Sequence, residues 1–175
     1  MHGFVDESRR GATYLLACVV ISPKSLGGTR AALRQLLLPG QRRIHLTDET
    51  KRRAFLLDAY ADLDVAAWIY SITAQVREER TARERCLMAL VDDLLAMDAR
   101  RLVLESREGR DHHDRAVIHS QVQRSDHDLA YEHLLPREEP LLWVADGFAW
   151  AHGAGGTWRQ RVAPKIRHLR DLDAE

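Results

Sequence analysis

The segments FVDES (residues 4–8) and TYLLACVVI (residues 13–21) follow each other closely at the start of the chain. The second segment is almost entirely apolar and rich in β-forming residues, and it lies between a glycine and a proline, which predicts a central strand. The first segment is expected to pair with it. Asp6 and Glu7 then lie between two buried segments, where an acidic pair indicates either a hairpin turn or a functional site.

Length and composition indicate one cytoplasmic domain spanning residues 1–175. The chain is 45% hydrophobic, and it carries 26 basic and 26 acidic residues, so its net charge gives no argument for bulk attraction to nucleic acid or membranes. Cys18 and Cys86 are too few for a disulfide framework. The N-terminus lacks the pattern of a signal peptide, and no apolar run approaches the roughly 18 residues of a membrane span. We therefore expect a soluble protein without a membrane partner.

The remaining pattern alternates helices and strands. Two short amphipathic helices are predicted within residues 25–62, as a helical insertion between the second and third strands. Further strands are predicted from residue 65, at 101–106 and around 128–135, with a long helix at 81–98 between the first two. A helix from Pro140 and an amphipathic helix at 157–170 complete the chain. This order predicts an α/β fold with a mixed five-stranded sheet flanked by helices.

Asp146 is the most informative acidic residue in the sequence. On a helix, its neighbours one turn away on either side are apolar, and they are Leu142, Trp143, Ala149 and Trp150. Burying an unpaired carboxylate is costly, and no basic residue lies within a turn to offset the charge. A group elsewhere in the fold must therefore compensate Asp146.

Two further acids follow apolar strand segments. Asp6 follows Phe4-Val5, and Glu105 follows the apolar residues 102–104. If these acids meet Asp146 at one edge of the sheet, their oxygens would suit a hard divalent cation such as Mg²⁺ or Mn²⁺. The alternative is that each acid separately caps a helix, ends a strand or pairs with a basic residue.

With these residues identified, the chain resembles the domain of unknown function 3800 family, whose members have a ribonuclease H-like fold. The resemblance spans residues 4 to about 152. It rests on four segments, which are FVDES (4–8), IHLTDETKRRAFLLDAY (44–60), LVLES (102–106) and PLLWVADGFAWA (140–151).

The resemblance implies metal ligands at Asp6, at Asp146 and at Glu105, where the family usually has Asp. It also implies that His45 contacts phosphate or assists proton transfer. Ribonuclease H-like nucleases use a further carboxylate, for which Glu7 and Glu84 are the alternatives.

These residues lead to the hypothesis of a divalent-metal-dependent nuclease acting on RNA or DNA. One alternative is a non-catalytic member of the same fold that binds nucleic acid or protein, and another is a structural protein that dimerises through the terminal amphipathic helix. Basic residues flank His45 and offer contacts to a phosphate backbone; they are Arg42, Arg43, Lys51, Arg52 and Arg53. The DHHD segment (residues 111–114) is expected to form a solvated helix start rather than a zinc site, and the tryptophans are expected in the core.

Overall fold

A six-stranded mixed sheet forms the centre of the protein, which is described by a computed structural model covering residues 1–174. The strands are β1 (His2–Arg10), β2 (Thr13–Ile21), β3 (Ala66–Thr73), β4 (Arg101–Glu105), β5 (Ala130–Leu134) and β6 (Ile166–Asp171). Their order across the sheet is β5-β4-β1-β2-β3-β6. Strands β1, β2 and β3 are antiparallel neighbours, whereas β4 runs parallel to β1, β5 parallel to β4, and β6 parallel to β3.

Helices cover both faces of this sheet. They are α1 (Leu26–Gln35), α2 (Arg53–Ala61), α3 (Glu79–Ala96), α4 (Asp111–Val122), α5 (Leu141–Ala154) and α6 (Gly156–Val162), with short 3-10 turns at Val76–Glu78 and Ala163–Lys165. Helices α1 and α2 lie between β2 and β3, in the region of the predicted insertion. The structure confirms a mixed α/β sheet flanked by helices. None of the helices in the described range is long and apolar enough to cross a bilayer.

Strand alternation divides the core into two layers. Val5 of β1 packs with α3 and α4 on one face, whereas its neighbour Phe4 packs with α1, α2, α5 and α6 on the other. Strand β2 is buried along nearly its whole length because both of its faces are covered. Asp6 therefore shares the α5 face with Phe4, and Glu7 faces α3.

Close packing of α5 against α2 depends on Gly147. A Cβ atom built at this position would lie 2.8 Å from Cε2 of Tyr60, so any larger residue would push the two helices apart. Gly147 follows Asp146 directly, and this packing helps to fix where Asp146 projects.

Two sequence predictions about the sheet are wrong. The sheet has six strands rather than five, and the segment predicted as an amphipathic helix at 157–170 is helical only through Val162. Pro164 lies in a 3-10 turn, after which β6 extends the sheet along β3. Apolar residues at 158, 162, 166 and 169 fit a helical period, but 166 and 169 belong to the added strand, where sheet pairing outweighs the helical pattern.

The DHHD segment is also not a solvated helix start throughout. Asp114 is 1% exposed and accepts two hydrogen bonds from Arg83, from Nε at 2.9 Å and from Nη2 at 2.8 Å. The His133 Nε2 atom lies 3.1 Å from the same carboxylate, and Arg83 also forms an ion pair with Glu7. Although burial opposes ionisation, the bonds from Arg83 and His133 lower the pKa of Asp114 to about 2. This network joins α3, α4, β1 and β5.

Replacing Asp114 with asparagine should destabilise the fold at neutral pH. A carboxyl pKa lowered from 3.8 to about 2 corresponds to about 2 kcal/mol of folding free energy, which is present above the unfolded pKa and is lost as pH falls through the folded value. Wild type should therefore lose this stability between about pH 5 and pH 2, and Asp114→Asn should lack that part of the pH dependence. Urea unfolding at several pH values measures both effects. The exposed Asp126→Asn serves as control, and equal stability of the two variants at pH 7 would contradict the assignment.

Candidate active site

The parallel pairing of β1 with β4 places Asp6 beside Glu105. Val5 pairs with Leu104 at the end of this ladder, and Asp6 and Glu105 are the next residues on each strand. Strand β1 does not end at Asp6, because it continues along β2 to Arg10. Both acids lie on the α5 face of the sheet, where their carboxyl groups share a hydrogen bond.

Helix α5 brings Asp146 to the same place. Asp146 is 7% exposed, and its Oδ2 atom accepts a hydrogen bond of 2.7 Å from the backbone N–H of Leu46. The His45 Nε2 atom lies 3.8 Å from Asp146 Oδ1. The groups that compensate this buried acid are thus a backbone amide and an imidazole from the segment between α1 and α2, and no arginine among the described residues bonds to it directly.

The four residues predicted for the site line one small cavity. Asp6, Glu105, Asp146 and His45 surround a volume of about 10 Å³. The cavity is completed by Arg43, Ile44, Pro136, Leu142 and Trp143. The space is close to that of a single water-sized sphere. The cavity is therefore narrow.

Burial and crowding disturb the ionisation of the acids. Burial raises the pKa of Asp6 well above its usual range, and the hydrogen bond to Glu105 and the charges of Glu105 and Asp146 act in the same direction. For Glu105, partial burial is outweighed by the hydrogen bond with Asp6 and by Arg107, which lower its pKa. Burial raises the pKa of Asp146, although the Leu46 amide and His45 oppose the shift. The cluster thus opposes ionisation of Asp6 and favours that of Glu105.

Arg107 is a site residue that sequence reasoning did not identify. Its Nη2 atom donates to Asp6 Oδ1 at 3.2 Å and to Glu105 Oε2 at 3.3 Å, and its Nη1 atom donates to Glu7. The only sequence signal is its position two residues after Glu105. That signal is weak, because an arginine following a strand usually points into solvent. Its guanidinium partly neutralises the acidic cluster.

The two alternatives for a further carboxylate both lie outside the cavity. Glu7 faces the opposite layer, where it accepts a hydrogen bond of 2.9 Å from the Tyr14 hydroxyl. Glu84 lies on α3, 3.3 Å from His113 Nε2, on the same far side of the sheet. Among the contacts described, Arg107 is the only side chain that links the Glu7 carboxylate to the cluster.

The basic residues around His45 have different roles. Arg52 is paired with Glu49, and Arg53 Nε donates to the backbone carbonyl of Leu46 at 2.9 Å. Arg43 lines the cavity, and its side chain has no ion-pair partner among residues 1–174. Arg53 therefore supports the loop that bonds Asp146, and Arg43 offers a cation at the cavity itself.

The carboxylates are the type of ligand that a hard divalent cation prefers, although their arrangement does not form a complete metal site. Within residues 1–174, no three or more His, Cys, Asp or Glu side chains are grouped closely enough to hold a metal. The donors are nevertheless oxygens, and their clustering raises the pKa of Asp6. A cation would relieve this repulsion once Arg107 and the acids readjust.

Replacing Asp146 with asparagine should stabilise the metal-free protein. The amide oxygen can still accept the Leu46 N–H, and loss of the charge removes repulsion from Glu105. A gain of about 1 kcal/mol would raise the melting temperature by about 2–4 °C in the presence of a chelator. Thermal unfolding followed by circular dichroism measures the shift.

Asp146→Ala is the matched control for this substitution. It also removes the negative charge but leaves the buried Leu46 N–H without its acceptor, which costs about 1–3 kcal/mol. It should melt below wild type. If Asp146→Asn melts as low as Asp146→Ala, the charge itself stabilises the fold and the crowding argument fails.

Comparisons with known proteins support the fold. No family model matches the chain, and no curated protein matches its sequence. Among solved structures, the chain is similar to one described as "Structure of the PCNA:RNase HII complex from Archaeoglobus fulgidus". The TM-score is 0.55 at 16% identity, over 94% of this chain and 73% of that chain. The chain therefore has a fold similar to one found in a ribonuclease HII complex.

Proposed function

We propose that this protein is a divalent-metal-dependent nuclease that hydrolyses phosphodiester bonds in RNA or DNA. The observation that carries the proposal is the convergence of Asp6, Glu105 and Asp146 from two adjacent strands and one helix on a single cavity. The fold likeness to the ribonuclease HII complex supports it. The resemblance to the domain of unknown function 3800 family is consistent with the same residues.

In this proposal the three carboxylates hold Mg²⁺ or Mn²⁺. When bound, such a cation polarises a phosphoryl oxygen and lowers the pKa of a water molecule. The chain's own contribution is positional: the β1–β4 ladder fixes Asp6 and Glu105, and the Leu46 amide fixes Asp146. Glu105 carries its carboxylate one methylene further than Asp would.

His45 is the proposed phosphate contact or proton-transfer group. It is held by the Asp48 carboxylate, which lies 3.2 Å from Nδ1, while Nε2 is directed to the Asp146 side. This arrangement leaves the imidazole partly exposed at the cavity, where a phosphate oxygen can reach it. Arg43 would contribute a cation at the same entrance.

A specific observation favours a second candidate, a non-catalytic member that binds nucleic acid or protein. Arg107 already occupies the flank of Asp6 and Glu105, and the cavity has room for little more than one water. If the cavity stays this narrow when a strand binds, the acids stabilise the fold and the surface of the protein binds the strand. Dependence of cleavage on added metal separates the two candidates.

Cleavage of labelled RNA and DNA should require Mg²⁺ or Mn²⁺ and should disappear in Asp6→Asn, Glu105→Gln and Asp146→Asn. Each substitution removes a negative oxygen ligand while keeping the side-chain shape. Magnesium should also raise the melting temperature of wild type more than that of each variant, because only wild type keeps the full ligand set. Glu84→Gln is the control, since Glu84 lies outside the cavity. Cleavage without metal, or cleavage lost equally in Glu84→Gln, would contradict the proposal.

His45→Ala should reduce cleavage while leaving the fold intact. If His45 transfers a proton, kcat should fall by about 10²–10⁴-fold and one limb of the pH–rate profile should be lost. If it only contacts phosphate, KM should rise and the profile should keep its shape. Thr47→Ala, an exposed position on the same loop, is the matched control. Unchanged cleavage and unchanged nucleic-acid affinity would remove His45 from the site.

A further inference from the structure

A second pocket lies near the C-terminal end of α5, away from the acidic cavity. It has a volume of about 180 Å³, and two arginines, Arg10 of β1 and Arg159 of α6, contribute to its lining. The hydroxyl-bearing residues Thr13 and Ser71 and the imidazole of His152 also line it. No acidic residue contributes to this lining. Guanidinium, hydroxyl and imidazole groups around one pocket are the donors that bind phosphate oxygens.

His152 is buried, but its neighbours within residues 1–174 do not satisfy both of its ring nitrogens. It is 7% exposed, and its Nδ1 atom has no hydrogen-bond partner among the described residues. Burial, together with the nearby Arg159, lowers the pKa of His152 to about 4, so the ring is neutral at pH 7. A buried polar atom left unpaired is costly, and such groups commonly mark a place that a ligand or water occupies. A bound anion would supply a partner for the ring.

The two arginines are positioned but not neutralised. Arg159 Nε donates to the His152 carbonyl at 2.9 Å. Its two Nη atoms donate to no other group among the described residues. The guanidinium of Arg10 lies over the indole of Trp150, with Cζ 5.1 Å from the ring centroid. Neither arginine has a carboxylate partner within residues 1–174. Stacking and a single backbone bond thus hold both cations in place with donors to spare.

The pocket is aligned with the acidic cavity along the same face of the sheet. Arg10 lies four residues after Asp6 on β1, on the same side of the strand and roughly 13 Å away along it. Helix α5 follows the same direction, because Asp146 lies at the cavity and Trp150 at Arg10. Arg53 stacks on Trp150 with Cζ 4.8 Å from the ring and also supports the Leu46 loop. Arginine side chains therefore line the path from the acidic cavity to the pocket.

We propose that the pocket formed by Arg10, Arg159 and His152 binds a phosphate group, and that in a nucleic-acid strand this is a backbone phosphate further along the strand from the one at the acidic cavity. The assignment to a strand rests on the proposed nuclease function, whereas phosphate binding by the pocket does not. The shared chemistry is a phosphate oxygen that accepts from two guanidinium groups. A backbone phosphate and a free phosphate ion are the two possible sources.

The first measurement tests the pocket for phosphate itself. Inorganic phosphate is titrated into full-length protein with chelator present, and the His152 imidazole is followed by NMR. Phosphate should shift the His152 resonances and raise its pKa in wild type, and should do neither in the Arg10→Ala/Arg159→Ala variant. Arg115→Ala is the matched control, because Arg115 is exposed on α4 across the sheet.

The second measurement distinguishes the source of the phosphate. Anisotropy of labelled single-stranded RNA and DNA is measured with chelator over a range of salt concentrations. If the pocket holds a backbone phosphate, the double variant should bind about tenfold or more weakly, and its slope of log affinity against log salt should fall by about 0.7 for each lost phosphate contact. Arg115→Ala should keep the wild-type slope.

The outcomes separate this inference from the proposed function. A His152 response with unchanged strand affinity supports a site for free phosphate, and a change in both supports a backbone site. No His152 response together with strand affinity equal to that of Arg115→Ala overturns the inference, even if metal-dependent cleavage is intact. If wild type cleaves no strand but the double variant still loses strand affinity, the phosphate pocket is supported and the proposed nuclease function is contradicted.

Discussion

The parallel ladder between β1 and β4 is the constraint on which the candidate site depends. Because β1 and β4 are parallel and Val5 pairs with Leu104, the next residues, Asp6 and Glu105, lie side by side on one face of the sheet. A register shift of one residue would turn either acid toward α3 and α4. The apolar residues before each acid are fully buried in the two layers, and this burial fixes the register.

Strand alternation also separates two acidic residues that are adjacent in sequence. Asp6 enters the cavity on the α5 face, while Glu7 joins Tyr14 and Arg83 on the α3 face. Arg107 spans the end of β4 and bonds to both. The structural ion network around Asp114 and the crowded acidic cavity therefore share one arginine. A change in the cavity that moves Arg107 will therefore also disturb the ion network around Asp114 on the other face of the sheet.

Much of the central sheet could be predicted from sequence, because buried strands and long amphipathic helices have strong local patterns. The TYLLACVVI strand and the α3 region are of this kind. The last segment could not be predicted, since its apolar residues, 166 and 169 among them, follow a helical period, and only pairing with the edge of β3 makes residues 166–171 a strand. Asp146 could be identified from its apolar neighbours, but its partner could not, because the Leu46 amide lies 100 residues away in sequence. Arg107 likewise has only a weak local signal, its position two residues after Glu105.

Neighbouring groups offset part of the charge that three clustered carboxylates bring to the cavity. Burial and the neighbouring acids oppose ionisation of Asp6, and the guanidinium of Arg107 offsets part of the negative charge of the cluster. Both effects oppose binding of a divalent cation, because carboxylate ligands must be deprotonated and because Arg107 lies beside Asp6 and Glu105. Burial and the neighbouring acids raise the pKa of Asp6, so a cation that binds below that raised pKa must displace the proton. Under the proposed function, metal affinity at this site is therefore coupled to pH and to the position of Arg107.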